Sequence, residues 1–413
     1  MRHLLATWPL LLGMGLLMLG AGLQGTLLGL RATLENFPTP VIGVVMAAYY
    51  VGYIGGSLGA PHLMQRVGHI RVFAALTAVA SVAILVQAVL VSPIVWTALR
   101  MTSGFCFAGV YVVAESWLND RADNHNRGAL LSVYMVVLYV GLTGGQFLLN
   151  AADPAGPLLF LLTSVLISIA VVPMTLSVQR APEFSTSHKL GLHDLYRISP
   201  MGVVGVVVSG MLTGALFSMG PVYARLIGFA APDVAAFMGV SVFAAVLTQL
   251  PIGRFSDRTD RRSVLIAVCI LAALFAALAA MFGASSRAVL FVLAAAFGGI
   301  VLTLYSLSLS HINDHLQPSQ MVSASASAIL MNGAGATVGP IVIAVSMNAF
   351  GPPAYFAGMA ALVGALGLYT LWRKTRRPSV PEEQKAPFVS AQPQAASGQM
   401  VAEVAAAGAE ERT

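Results

Sequence analysis

Charge is what the 413-residue chain has least of: Asp, Glu, Lys and Arg make up 9% of it, against about a quarter in a soluble domain. A soluble fold of this length is thereby excluded. Cysteine is nearly absent as well. Cys106 and Cys269 are the whole complement; both sit within apolar runs, and small buried hydrophobes describe them better than a disulfide or a metal site does. Phosphate-binding glycine loops, nucleophile triads and paired catalytic carboxylates are missing too, which argues against an enzyme and against an ATP-driven pump. His311, Asp314 and His315 have a spacing that could hold a metal. They straddle a helix end with no further carboxylate or cysteine near, so neither a metal nor a cofactor is expected.

What the chain has instead is hydrocarbon, with 57% hydrophobic residues and a mean hydropathy of +0.82. Apolar runs of about 20 residues, enough to cross about 30 Å of lipid, recur between short polar breaks, and twelve can be laid out. The first passes from Leu4 to Leu30 without a clear cleavage site, which favours a span over a removed signal peptide. The expected fold is an all-α membrane protein of twelve transmembrane helices in two pseudo-symmetric six-helix halves. A net charge of +6 would suggest nucleic acid in a soluble chain, but here the basic residues lie between apolar spans and report topology. Arg66, Arg71, Arg254, Arg258, Arg261, Arg262, Arg373 and Lys374 all fall on one side. That bias places both termini in the cytoplasm; the cytoplasmic (inner) membrane is the expected location and a monomer the expected state.

The organisation expected is a six-helix bundle over residues 1–178, a cytoplasmic linker over 179–199, a second bundle over 200–372 and a disordered tail over 373–413. The linker holds an amphipathic run, Leu190, Leu192, Leu195, Tyr196 and Ile198, suited to the membrane surface. The tail is rich in Pro, Ala, Gln and Glu, too little to build a core. An internal repeat supports the two halves: Leu99, Gly104, Tyr111, Ser116, Asn119, Asp120, Gly141, Thr143 and Gly145 align without a gap on Leu293, Gly298, Tyr305, Ser310, Asn313, Asp314, Gly335, Thr337 and Gly339.

One loop carries a specific signature. Gly253, Asp257, Arg258, Arg261, Arg262 and Leu265 form a pattern that resembles the loop motif of the major facilitator superfamily, with Asp260 where that motif has glycine. The equivalent loop in the first half keeps Arg66 and Gly68 but has Gln65 and Pro61 in place of the acidic residue and the glycine. Arg100 followed by Gly104 resembles the superfamily's fourth-helix motif, in which the arginine is linked to proton coupling. Glu115 with Arg127-Gly128 resembles its acidic and Arg-Gly pair. The fifth helix has Gly145-Gln146 where antiporters carry Gly-Pro. Together with Tyr134-Met135 and Pro251-Ile252-Gly253-Arg254, these stretches look like the YcaD-type branch of the superfamily, which has no assigned substrate.

Arg100 is the functional residue that the sequence singles out, because a charge inside a span costs about 2.5–3.5 kcal/mol and calls for water or a partner. On a helical projection it shares a stripe with Gly104, Tyr111 and Glu115. An interhelical structural pair is the plainer role for Arg100, and a latch the plainer role for Glu115. The resemblance, which places the first, fourth, seventh and tenth helices around a cavity, adds Gln24, Thr213 and Tyr305, and Gln146 supplies a further polar group on the fifth span; each could equally be an interhelical hydrogen bond. Arg66, Gly68, Arg127, Gly253, Asp257, Arg258 and Arg261 form the expected cytoplasmic gate. The function expected is secondary active transport of a small organic solute, amphipathic or weakly acidic, by alternating access and driven by protons. A non-transporting membrane sensor with the same fold is the alternative.

Overall fold

The computed structural model describes residues 2–121, 127–176, 191–283, 285–376, 380–381, 385–391 and 403–407, with the side chains of residues 2–6, 121 and 127 outside that description. The first half is built from α1 (Arg2–Leu34), α2 (Thr39–Val67), α3 (His69–Val89), α4 (Pro93–Arg121), α5 (Arg127–Phe147), α6 (Leu158–Ile169) and α7 (Val171–Thr175). A short surface helix, α8 (Leu192–Ile198), leads into α9 (Pro200–Leu226), α10 (Ala231–Arg258), α11 (Arg261–Phe282), α12 (Arg287–Val301), α13 (Leu304–Asn313), α14 (Pro318–Phe350) and α15 (Ala354–Lys374). The pairs α6–α7 and α12–α13 are each one interrupted span, so among the described residues twelve helices are long and apolar enough to cross a membrane.

Local chemistry sets the ends of these helices. Prolines stand in the first turn of α2, α9, α10 and α14, where a missing N–H costs nothing. Gln317 and Gln320 close a reciprocal cap on α14. Large apolar side chains face outward: Ile94 is 82% exposed, Phe350 81% and Leu368 71%. In water such surfaces would aggregate; in lipid they are the solvated ones.

The two halves repeat the same packing. In the first, α1 lies on α5, α2 on α4, and α3 on α4 and α6; in the second, α9 lies on α14, α10 on α12, and α11 on α12 and α15. The halves meet through α2 with α14, α5 with α10, and α1 with α9. The start of α1, the end of α15, the α2–α3 turn at Gly68 and the α10–α11 turn at Thr259 and Asp260 share one face, the basic face. Toward the opposite, far face the halves approach at Gly29 against Pro221 and Ser218, Gly43 against Ala344 and Pro340, and Gly239 against Phe147, and deeper in the bundle at Gly333 against Ile54.

The departure from the loop motif is accounted for, and one expectation needs correction. The α10–α11 turn is built without glycine: Asp260 has φ −59° and ψ 109° and its carboxylate accepts from the Arg262 N–H to cap α11. At the repeat-related position Gly68 has φ +85°, a left-handed value that favours glycine. The tail is not uniformly disordered. Residues 385–391 lie against the second half, because side chains there supply partners for their backbone groups, and residues 403–407 form a helical turn.

The contact of α2 with α4 is the tightest feature bearing on function. A Cβ on Gly104 would stand 1.9 Å from the Tyr49 carbonyl oxygen, and one on Gly52 would stand 1.8 Å from that of Met101. Both obstacles are backbone, so the helices would have to separate. Gly104→Ala is expected to cost about 1–3 kcal/mol and to lower the thermal unfolding temperature in detergent. Gly364→Ala, whose methyl meets nothing within 4 Å, should leave it unchanged.

Candidate functional site: a cationic cavity in the bundle

Because α4 touches α2 at Gly104, the residue one turn earlier lies beneath the ring of Tyr49. The Arg100 guanidinium carbon is 4.5 Å from that ring's centroid, a geometry in which the ring quadrupole attracts the cation. Arg100 is 5% exposed, and its Nε has no hydrogen-bond partner. It opens on a cavity of about 70 Å³ whose walls come from α1 (Met18, Gln24, Thr26), α2 (Tyr49, Tyr50), α4 (Arg100, Phe107, Tyr111), α5 (Gln146) and α9 (Phe217, Ser218).

No carboxylate lines this cavity. Gln24 Nε2 is buried without a partner, whereas Gln146 Oε1 accepts from the Thr26 hydroxyl. The Tyr111 hydroxyl meets only the Met18 sulfur, at 3.6 Å, a weak acceptor. Aromatic rings form the rest of the wall: Phe107 lies 6.3 Å from both Tyr49 and Tyr111, centroid to centroid. The cavity therefore combines one uncompensated cation, a spare amide donor and apolar rings. An anion with a flat or apolar body satisfies all three.

Of the residues expected from the sequence, Gln24, Arg100, Tyr111 and Gln146 line this one cavity. Thr213 does not; its hydroxyl bonds the Ser209 carbonyl one turn back, at 2.8 Å. Tyr305 is 1% exposed with an unpartnered hydroxyl and lies with Tyr53 and Tyr134 around Glu115. Glu115 has no exposed surface, alone among the carboxylates of the described residues. It thus faces the second half through Tyr305 on α13. Tyr49, Tyr50, Phe107 and Phe217 were not anticipated, because an aromatic residue in a span gives no polar signal to mark it.

The gate residues divide. Arg261, 2% exposed, donates to Asp257 Oδ1 at 2.7 Å, Asp314 Oδ1 at 2.8 Å and Ser256 Oγ at 3.1 Å, joining the ends of α10, α11 and α13. Arg262 pairs with Asp260 at 3.0 Å. Burial opposes ionisation of Asp260, but the Arg262 guanidinium and N–H and the Ser263 hydroxyl hold its carboxyl below the ordinary value. Arg66 and Arg258 are solvent-exposed, Gly68 forms the turn already described, and Gly253 is buried on α10. The side chain of Arg127 lies outside the described residues.

Two six-helix halves packed face to face around a small polar cavity within the membrane define a polytopic protein of transporter architecture. The Major Facilitator Superfamily model matches residues 10–244 and 202–407, and the chain belongs to that superfamily. It is 28% identical over 357 residues to the uncharacterized MFS-type transporter YcaD of Salmonella heidelberg, covering 86% of this chain and 92% of that protein. Its identity to the YcaD of Salmonella newport is 29% over the same length. Among solved structures, the nucleoside transporter NupG superposes with a TM-score of 0.74 at 16% identity, over 89% of this chain and 98% of that one. A bacterial homologue of the human lysosomal transporter Spinster, in an inward-facing and occupied conformation, superposes with a TM-score of 0.66 at 15% identity, over 98% and 95% of the two chains. At such identities the likeness concerns the fold.

The buried gate carboxylate generates a prediction. Burial pushes the Asp314 carboxyl up to about 6, against the pull of Arg261. The folded state therefore holds this proton more tightly than the unfolded chain does. The group's contribution to stability is full in acid and is lost as pH rises through about 6. Wild type should lose thermal stability relative to Asp314→Asn as pH is raised from 5 to 7 in detergent.

Proposed function

We propose that the protein is a secondary transporter that carries a small organic anion with an apolar or aromatic body, by rocking its halves about the central cavity. The single observation that supports this reading is Arg100: a buried guanidinium, stacked on Tyr49, in a cavity lined by no carboxylate. The ring offsets part of the cost of desolvation, about 2 kcal/mol in a buried setting, and an anionic ligand supplies the rest. Arg100 would hold a carboxylate or similar group, Gln24 would donate to it, and Tyr49, Phe107 and Phe217 would sandwich its body. A binding site between halves, near the middle of the membrane, is where such transporters bind their cargo.

Proton coupling is assigned to Glu115. A carboxylate without exposed surface is the group whose protonation most changes the cost of a conformation that buries it. Glu115 lies within electrostatic reach of Tyr305 in the second half, so its charge is felt across the interface between the halves. The basic face is assigned to the cytoplasm on charge bias, in the inner membrane, and the protein acts as a monomer.

Proteoliposomes test both roles. Across a panel of aromatic and branched monocarboxylates, wild type should take up at least one compound, and Arg100→Ala should lose at least tenfold of that rate. Uptake unaffected by Arg100→Ala removes the anion reading. In Glu115→Gln, an imposed proton gradient should no longer accelerate uptake, while exchange of labelled for unlabelled compound continues. Acceleration as in wild type would take the coupling role away from Glu115.

A further inference from the structure

The stretch Lys385–Ala391 belongs to no span, yet it is held by named contacts along its whole length. Lys385 Nζ donates to the Thr259 carbonyl at 2.7 Å. The Ala386 N–H donates to Asp314 Oδ1 at 3.0 Å, and its carbonyl accepts from Arg261 Nη2 at 2.9 Å. The Phe388 N–H donates to Asp257 Oδ1 at 3.0 Å. Ser390 donates to Gln249 Oε1, and Ala391 exchanges two hydrogen bonds with the Ser306 hydroxyl, at 2.9 and 3.1 Å.

These partners mark a direction. From Thr259 through Asp257 and Gly253 to Gln249 the contacts climb about 15 Å of α10, a rise that an extended run of this length spans with about 20 Å. Ala386 and Ala391 are each 1% exposed. The Phe388 ring covers Gly253 so closely that a Cβ there would stand 2.2 Å from a ring carbon. The motif glycine is thus where the segment's one large apolar side chain lodges. Gln249, which receives Ser390, also donates to the Tyr139 hydroxyl on α5 of the first half, at 2.5 Å. The segment therefore enters from the basic face and ends beside a bond that ties the halves together.

We propose that Lys385–Ala391 is a tethered plug: the groove formed by α10 and α13 on the basic face is a binding site for this segment, and its occupancy blocks passage between that face and the central cavity. The plug uses the gate's own charges. Asp257, Arg261 and Asp314 each bond both to one another and to its backbone, so the seated segment and the gate form or break together. About ten residues separate Lys385 from the end of α15, a reach of about 35 Å, which is enough to leave the groove without unfolding a span. Substrate access from the basic face then requires the segment to withdraw.

Thiol labelling tests this without knowledge of the substrate, since both native cysteines are buried. In the purified full chain, Ser390→Cys should react with a hydrophilic maleimide at least tenfold more slowly than Arg66→Cys, and a second change, Phe388→Arg, should abolish the protection. Ser218→Cys, in the central cavity, should react with a small methanethiosulfonate at least tenfold faster in a chain ending at Arg376 than in the full chain. Equal rates for Ser390→Cys and Arg66→Cys would overturn the seating. A Ser218→Cys rate indifferent to the truncation would overturn the block.

Discussion

The structure turns on a cation with nothing of opposite sign beside it. Arg100 is placed by backbone contact: Gly104 and Gly52 let α4 and α2 touch, and that contact sets the guanidinium under Tyr49. Neither residue of the Arg-x-x-x-Gly pair acts alone. The glycine fixes the interhelical distance and the arginine supplies the charge. A cation so held is tolerable in a membrane interior because the ring partly solvates it and the cavity leaves room for an anion. The proposed function rests on this arrangement, with the aromatic walls setting the body of the ligand and Gln24 adding directional polarity.

Charge on the basic face follows a different rule. Arg261 uses four of its five donors, bonded to two carboxylates, a hydroxyl and a carbonyl. Buried pairs of this kind recover little net stability once desolvation is counted. They suit contacts that have to form and break. The halves are unequal here: Arg66 is exposed in the first, where the sequence has lost the matching acid at Gln65, while the second keeps a complete cluster around Arg261. The asymmetry puts the seated tail segment and the gate charges in the same half.

The spans, their number and their pairing into halves were legible in the sequence because membrane insertion demands long apolar runs and the repeat aligns glycines that packing needs. Arg100, Gln24, Tyr111 and Gln146 were legible as polar exceptions within those runs. Their aromatic companions were not, since Tyr49 and Phe217 look like any other membrane residue until a neighbouring helix places a cation beside them. Thr213 shows the opposite failure: a hydroxyl within a span satisfies itself on the preceding turn, and helical phase alone cannot reveal that. The seating of residues 385–391 was not legible, because the tail's composition excludes a core. Composition says nothing about a short extended segment whose hydrogen bonds come from a site built elsewhere in the chain.

The proposed function requires that the cavity select for negative charge through Arg100. Calorimetric titration of the purified protein with matched pairs of isosteric ligands, an aromatic carboxylate and its neutral amide such as benzoate and benzamide, addresses it most directly. At least one acid should bind to wild type, its amide should bind at least tenfold more weakly, and Arg100→Ala should remove the difference. Acid and amide binding equally across the series, or a preference for the acid that survives in Arg100→Ala, would contradict it.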